Sequence, residues 1–125
     1  MTRIFLAIAS IYGALGVGAG AFASHALKDR LTEKALSIFE TGARYQMYHA
    51  LALLMVALLL SRAEASQTFI VAGGWAFVVG IAIFSGSLYA LSLTGIKWLG
   101  AITPLGGTSL IIGWICLAVA AGSFK

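Results

Sequence analysis

Charge, cysteine and proline are scarce in this chain of 125 residues. Charged residues make up 10% of it, and it has one cysteine and one proline. The single cysteine, Cys116, lies in an apolar run, so it predicts neither an intrachain disulfide nor a paired-cysteine metal or redox motif. The four acidic residues are not paired, and no Ser-His-Asp set or phosphate-binding glycine loop is recognisable. We therefore expect neither an enzyme nor a cofactor.

Apolar sequence is what the chain has in abundance. Hydrophobic residues account for 61% of it, and the mean hydropathy is +1.00. Such composition indicates an all-α integral membrane protein with a single domain over residues 1–125. The net charge of +4 comes from scattered lysines and arginines. This pattern is typical of contact with lipid headgroups and predicts no nucleic-acid binding.

Four segments are long enough to cross about 30 Å of hydrocarbon. The predicted spans are Ile4 to Ala23, Gly42 to Leu60, Thr68 to Leu93 and Thr103 to Ala121. The first span also resembles a secretory signal with a cleavage site at Ala23. Its apolar stretch is long for a signal, so a retained helix is favoured.

Pro104 leaves the start of the fourth helix open. With Thr103 as N-cap, the proline occupies the first helical position, where its missing N–H has no consequence. If the helix begins at Trp98 instead, the proline ring meets the carbonyl of Gly100 and opens a polar gap beside Thr103.

The segment between the first two spans has the pattern of an amphipathic helix. Its apolar residues recur at steps of three and four from Leu27 to Phe39, with charged residues between them. This spacing predicts a short interfacial helix that lies on the membrane surface.

Small residues recur at four-residue spacing in the first and third spans. Small side chains let helices approach closely in lipid. We therefore expect Gly16, Gly20, Gly80 and Gly86 to be buried at helix contacts in a compact four-helix bundle.

The stretch Phe39 to Leu54, FETGARYQMYHALALL, carries polar residues into an apolar span. The uninterrupted apolar run from Ala50 to Leu60 rises only about 16 Å, half the hydrocarbon core. The second helix must therefore draw Arg44, Gln46 and His49 into the membrane zone, where polar groups are costly unless they are paired or face protein.

These residues and their expected neighbours define a candidate polar layer on one side of the membrane. Its predicted members are His25, Glu40, Arg44, Tyr45, Gln46, Tyr48, His49, Tyr89 and Thr103. The i, i+4 spacing predicts an ion pair between Glu40 and Arg44, and Tyr45 is expected to stack on His49. Tyr12 is assigned to the opposite face. In the alternative interpretation, Arg44 snorkels to headgroups and the tyrosines form an interfacial belt.

Several motifs resemble a known family. They are HAL at 25–27, the stretch from Phe39 to Leu54, FSGSLY at 84–89, TPLGG at 103–107 and GW at 113–114. They are similar to the small four-helix membrane proteins catalogued as domain of unknown function 423. The family's Gly-Ala-Phe-Gly-Ala-His motif reads GAFASH at 20–25, so a close backbone approach at Ala23 is in doubt. The resemblance implies a fold and a membrane location but no established activity.

The predicted function is that of a structural or accessory protein in a larger membrane assembly. The expected partners are the lipid bilayer and either another membrane protein or a second copy of the chain. A small transporter or channel is the alternative, although Glu40 is its only candidate acid. A haem or metal site at His25 and His49 is a weaker one.

The predicted location is a bacterial plasma membrane. The face with the interfacial helix carries more lysine and arginine than the other face. This excess predicts that it is cytoplasmic and that both termini are outside.

Overall fold

The computed structural model describes residues 1–63 and 67–124, and all regular secondary structure in this part of the chain is helical. The helices are α1 (Thr2–Phe22), α2 (Glu33–Arg62), α3 (Thr68–Thr94) and α4 (Leu99–Ala121), and a π-helical turn (Ala23–Leu27) extends α1. All four are long and apolar enough to cross a membrane. The prediction of four spans is confirmed. Glu64 and Lys125, which entered the prediction of loops and orientation, lie outside the described residues.

The start of α2 differs from the prediction. Its N-cap is Thr32, whose side chain accepts a hydrogen bond from the backbone N–H of Ala35 at 3.1 Å. The helix then runs for 30 residues without a break. The expectation of a separate interfacial helix is wrong, because the amphipathic residues 33–39 form the first two turns of α2 itself.

Helix α4 begins at Leu99, with Trp98 as its N-cap. Pro104 lies inside the helix, so the alternative start at Trp98 is the one observed. Since proline has no N–H, the carbonyl of Gly100 has no donor at the i+4 position. Beside this gap, Thr103 Oγ1 and Ser87 Oγ of α3 are 2.6 Å apart and share a hydrogen bond.

Successive helices pack against each other, and an apolar core lies among them. Contacts join α1 to α2, α2 to α3 and α3 to α4. The most fully buried large side chains include Phe5, Leu53, Ile70 and Phe77. The ring of Phe5 occupies the space above Gly74, where any side chain would overlap it. The core therefore joins α1 to α3 as well.

Glycines at the closest helix contacts differ in part from those expected. Gly16 is buried against α2, and Gly80 is buried against Leu110. A methyl group added at Gly20 or Gly86 would meet no atom within 4 Å. At these two positions the expectation of a helix contact does not hold. The closest contact is at Gly106, where an added methyl would overlap the backbone of Phe84.

Ala23, where the family motif has glycine, is fully packed. It is 1% exposed and forms a small apolar cluster with Leu27 and Phe39. This cluster joins the π-helical turn to the second turn of α2. A methyl side chain is therefore accommodated at position 23.

Candidate functional site

The predicted polar layer divides into buried and exposed residues. Gln46 and His49 are buried, and Tyr89 and Thr103 are half-buried. The exposed members are His25, Glu40, Arg44, Tyr45 and Tyr48. A residue's position along α2 therefore does not decide whether its polar side chain is buried. The side of the helix on which the residue lies decides it.

Gln46 links three helices. Its amide Nε2 donates a hydrogen bond to the carbonyl of Tyr12 in α1 at 2.9 Å, and its Oε1 accepts one from the hydroxyl of Tyr89 in α3 at 2.6 Å. Gly16 packs beside this contact, where a methyl group would lie in ordinary contact with the Cγ of Gln46 at 3.7 Å and closer to the end of Met47 at 3.3 Å. Gln46 thus acts as a polar connection inside the apolar region.

Tyr12 belongs to this site and not to the opposite face, so its sequence assignment is wrong. Its hydroxyl donates to the carbonyl of Val78 in α3 at 2.9 Å, while its own carbonyl accepts from Gln46. Close by, the hydroxyl of Ser85 donates to the carbonyl of Gly42 at 2.7 Å. Both bonds use backbone carbonyls as acceptors, which no side-chain pattern in the sequence indicates.

A groove of about 340 Å³ lies beside these bonds. Its lining includes Tyr12, Gln46, Ser85 and Tyr89 together with Leu15 and Ile81. The four polar side chains use their hydroxyl or amide groups in helix-to-helix hydrogen bonds. The groove therefore has a mainly apolar surface, and its polar side chains offer few free donors.

His49 has both ring nitrogens engaged. Nδ1 donates to the carbonyl of Tyr45 at 2.8 Å, and Nε2 accepts from the indole N–H of Trp114 in α4 at 3.0 Å. These partners fix the neutral imidazole with its proton on Nδ1. Tyr45 stacks on the ring, with centroids 6.1 Å apart. Phe77 and Trp114 lie at 5.6 and 5.8 Å.

His25 and His49 do not form a joint metal or haem site. His25 lies between Ala23 and Leu27, which pack on Phe39. His49 is ten residues farther along α2, about 15 Å deeper. Moreover, neither nitrogen of His49 has a free lone pair, and the described residues contain no group of three metal-ligating side chains.

Glu40 and Arg44 are not paired, contrary to the prediction from their spacing. Arg44 is exposed, and its Nη2 donates to the hydroxyl of Thr41 at 3.3 Å. Since both side chains point away from the core, an ion pair would gain little against solvation. Arg44 faces α1 across an open groove, but it is not buried among the helices as expected.

The fold and site define a class of protein: an integral membrane protein of four helices, joined inside the apolar region by satisfied polar side chains. Within that class, residues 19–107 match the family described as "Protein of unknown function (DUF423)". The chain belongs to this family. The predicted resemblance is confirmed.

Relatives that match nearly the whole chain are named UPF0382 membrane proteins. The UPF0382 membrane protein YwdK of Bacillus subtilis is 45% identical over 119 residues, which cover 95% of this chain and 96% of the relative. A UPF0382 membrane protein of Staphylococcus epidermidis is 42% identical over 122 residues, 98% of both chains. No solved structure matches significantly.

Proposed function

We propose that this protein is a non-enzymatic accessory protein, which packs against another protein of a bacterial plasma-membrane assembly. One observation carries the proposal: the buried polar side chains of the described residues form hydrogen bonds within the chain's own helices and between them. Gln46 bonds to two other helices, and both nitrogens of His49 are occupied. In the described residues, no buried side-chain nitrogen or oxygen lacks a partner. Groups committed in this way stabilise a scaffold and leave no reactive atom free.

The outer surface of α1 is the contact that we propose for the partner. Only 17% of its apolar stretch is buried, the same share as in α4 and less than the 50% of α2. Ala14, Gly18 and Ala21 are exposed on it, and a side chain at Gly18 would meet no atom of this chain within 4 Å. Small residues on an open face allow another helix to approach closely.

Transport is the weaker candidate. The acidic residues among those described are Asp29, Glu33 and Glu40, which all lie between the end of α1 and the second turn of α2. A carrier that couples transport to the protonation of a carboxylic acid needs that acid deep in the membrane. We therefore favour the accessory role.

Our proposal includes the membrane arrangement. The helices form one bundle, and the amphipathic first turns of α2 lie at the cytoplasmic surface with Lys28, Arg30, Lys34 and Lys97. The opposite surface carries Arg3 and Arg62, so the excess of positive charge supports termini outside the cell. A phosphatase fused after the C-terminus should be active. A fusion that is active only as a cytoplasmic reporter would overturn this orientation.

The accessory role is tested by co-purification from native membranes. The chain is tagged at its own locus, and partners are quantified by mass spectrometry. Gly18→Leu should lower the recovered amount of a specific partner at least about tenfold. A bulky side chain on a close-packed face costs more than about 1.4 kcal/mol of association free energy. Ala118→Leu, at an exposed small position of α4, is the matched control and should retain the partner. If both variants and the wild type retain the same proteins, the proposed contact is wrong.

A further inference from the structure

A second groove, of about 350 Å³, lies between α1 and α2. Gly16, Gly20 and Ser24 line it from α1, and Glu40, Arg44 and Met47 line it from α2. No side chain fills the space above Gly20, since a methyl group added there would meet no atom within 4 Å. The groove is therefore open at Gly20, whereas Gly16 is buried at its inner end beside Met47.

The charge of the lining side chains changes from the outer end of this groove to its inner end. Glu40 is the outermost of its α2 residues, Arg44 lies about 6 Å deeper and Met47 about 10 Å deeper. On α1, the antiparallel neighbour, Ser24 lies near the outer end and Gly16 at the inner end beside Met47. The order from the surface inward is thus anion, cation and apolar floor.

The two charges are available to a ligand. They line the same groove one helical turn apart, yet they form no ion pair in the described part of the chain. Arg44 uses one guanidinium nitrogen on Thr41 at 3.3 Å, which leaves its other donors free. The hydroxyl of Ser24 is occupied by the carbonyl of Gly20 at 3.0 Å. A ligand would therefore be recognised chiefly by Glu40 and Arg44.

We propose that this groove binds one phospholipid whose headgroup carries both a phosphate and a primary ammonium, such as phosphatidylethanolamine. In such a lipid the ammonium is outermost, the phosphate follows and the acyl chains lie deepest. The ammonium binds Glu40, the phosphate binds the Arg44 guanidinium, and one acyl chain covers Gly20, Gly16 and Met47. Arginine suits phosphate because its planar group donates two parallel hydrogen bonds. Phosphatidylglycerol has no ammonium, so its phosphate would meet Arg44 with Glu40 unmatched.

Native mass spectrometry of the purified full chain in detergent tests this site. The protein is titrated with phosphatidylethanolamine, phosphatidylglycerol and phosphatidylcholine that have identical acyl chains. We expect phosphatidylethanolamine to bind about tenfold more tightly than phosphatidylglycerol, a difference of one charge-assisted hydrogen bond. Phosphatidylcholine should be weaker too, because its quaternary ammonium cannot donate to Glu40. Equal binding of the three lipids would overturn the proposal.

Matched variants separate the headgroup from the chain site. Glu40→Gln should abolish the preference for phosphatidylethanolamine, and Arg44→Gln should weaken binding of all three lipids about tenfold. Gly20→Leu should block the acyl chain without unfolding the protein, because the space above Gly20 is empty. Gly18→Leu and Arg30→Gln, outside the groove, are the controls and should bind as the wild type does. Unchanged binding by Arg44→Gln or by Gly20→Leu would contradict the site.

Discussion

The indole N–H of Trp114 donates to Nε2 of His49 at 3.0 Å and joins α4 to α2 across the apolar region. This bond leaves the imidazole neutral with its proton on Nδ1. Nitrogen NMR of histidine-labelled protein should therefore report the Nδ1–H tautomer for His49 at neutral pH. An Nε2–H tautomer would contradict the arrangement.

Trp114→Phe should lower the free energy of unfolding by about 1 kcal/mol, because it leaves Nε2 of buried His49 without a donor. Trp98→Phe is the control, since Trp98 is exposed at the N-terminus of α4 and its side chain has no comparable partner. Denaturant unfolding in detergent micelles measures both. Equal stability of the two variants would mean that the bond contributes nothing.

Gln46 and Tyr89 should be energetically coupled. A double-mutant cycle with Gln46→Leu and Tyr89→Phe isolates the 2.6 Å bond between them. We expect a coupling of about 0.6 to 1.7 kcal/mol, the range found for hydrogen bonds between membrane helices. Tyr48→Phe is a suitable control, because Tyr48 is exposed and should not couple to Gln46. Additive effects of the first pair would refute the three-helix connection.

Substitution by alanine should destabilise the protein at a closely packed glycine but not at an open one. Gly106→Ala would press a methyl group against the Phe84 backbone, 2.7 Å from its Cα, and should destabilise the protein by about 1 to 3 kcal/mol or more. Gly86→Ala meets nothing within 4 Å. Thermal melts in nanodiscs should separate the two variants, and a similar loss in both would show that Gly86 is also packed.

Glu40 and Arg44 should make independent contributions to stability in lipid-free detergent. Since neither side chain is paired with the other, Glu40→Ala and Arg44→Ala should have small effects, and the double variant should equal their sum. Denaturant titration of the four proteins provides the cycle. A coupling beyond experimental error would restore the ion pair expected from their spacing.

Much of the helical framework could be predicted from the sequence because length and apolar content decide which segments cross a membrane. The polar contacts were less accessible. Gln46 and His49 were recognised as membrane-embedded, but Tyr12 and Trp114 were missed as their neighbours. Those contacts depend on which faces of distant helices meet. In half of them the acceptor is a backbone carbonyl, which every residue has.

The error at the start of α2 and the two alternatives left open for the start of α4 have a common cause. Amphipathic spacing in residues 33–39 is equally compatible with a separate surface helix and with the outer turns of a longer one. Pro104 fits both the first turn and the sixth position of a helix. Local sequence does not distinguish such alternatives, because packing against the neighbouring helices decides them.

The polar bonds also suit the order in which the chain is made. Once the first two helices have entered the membrane, Nε2 of Gln46 can bond to the Tyr12 carbonyl. Oε1 of Gln46 gains its donor, the hydroxyl of Tyr89, only with the third helix. Nε2 of His49 gains its hydrogen-bond donor, the indole of Trp114, only with the last helix. Each newly inserted helix after the first therefore satisfies a polar atom, or brings one that the next helix satisfies. If the helices insert in chain order, these polar atoms would therefore gain their partners one helix at a time.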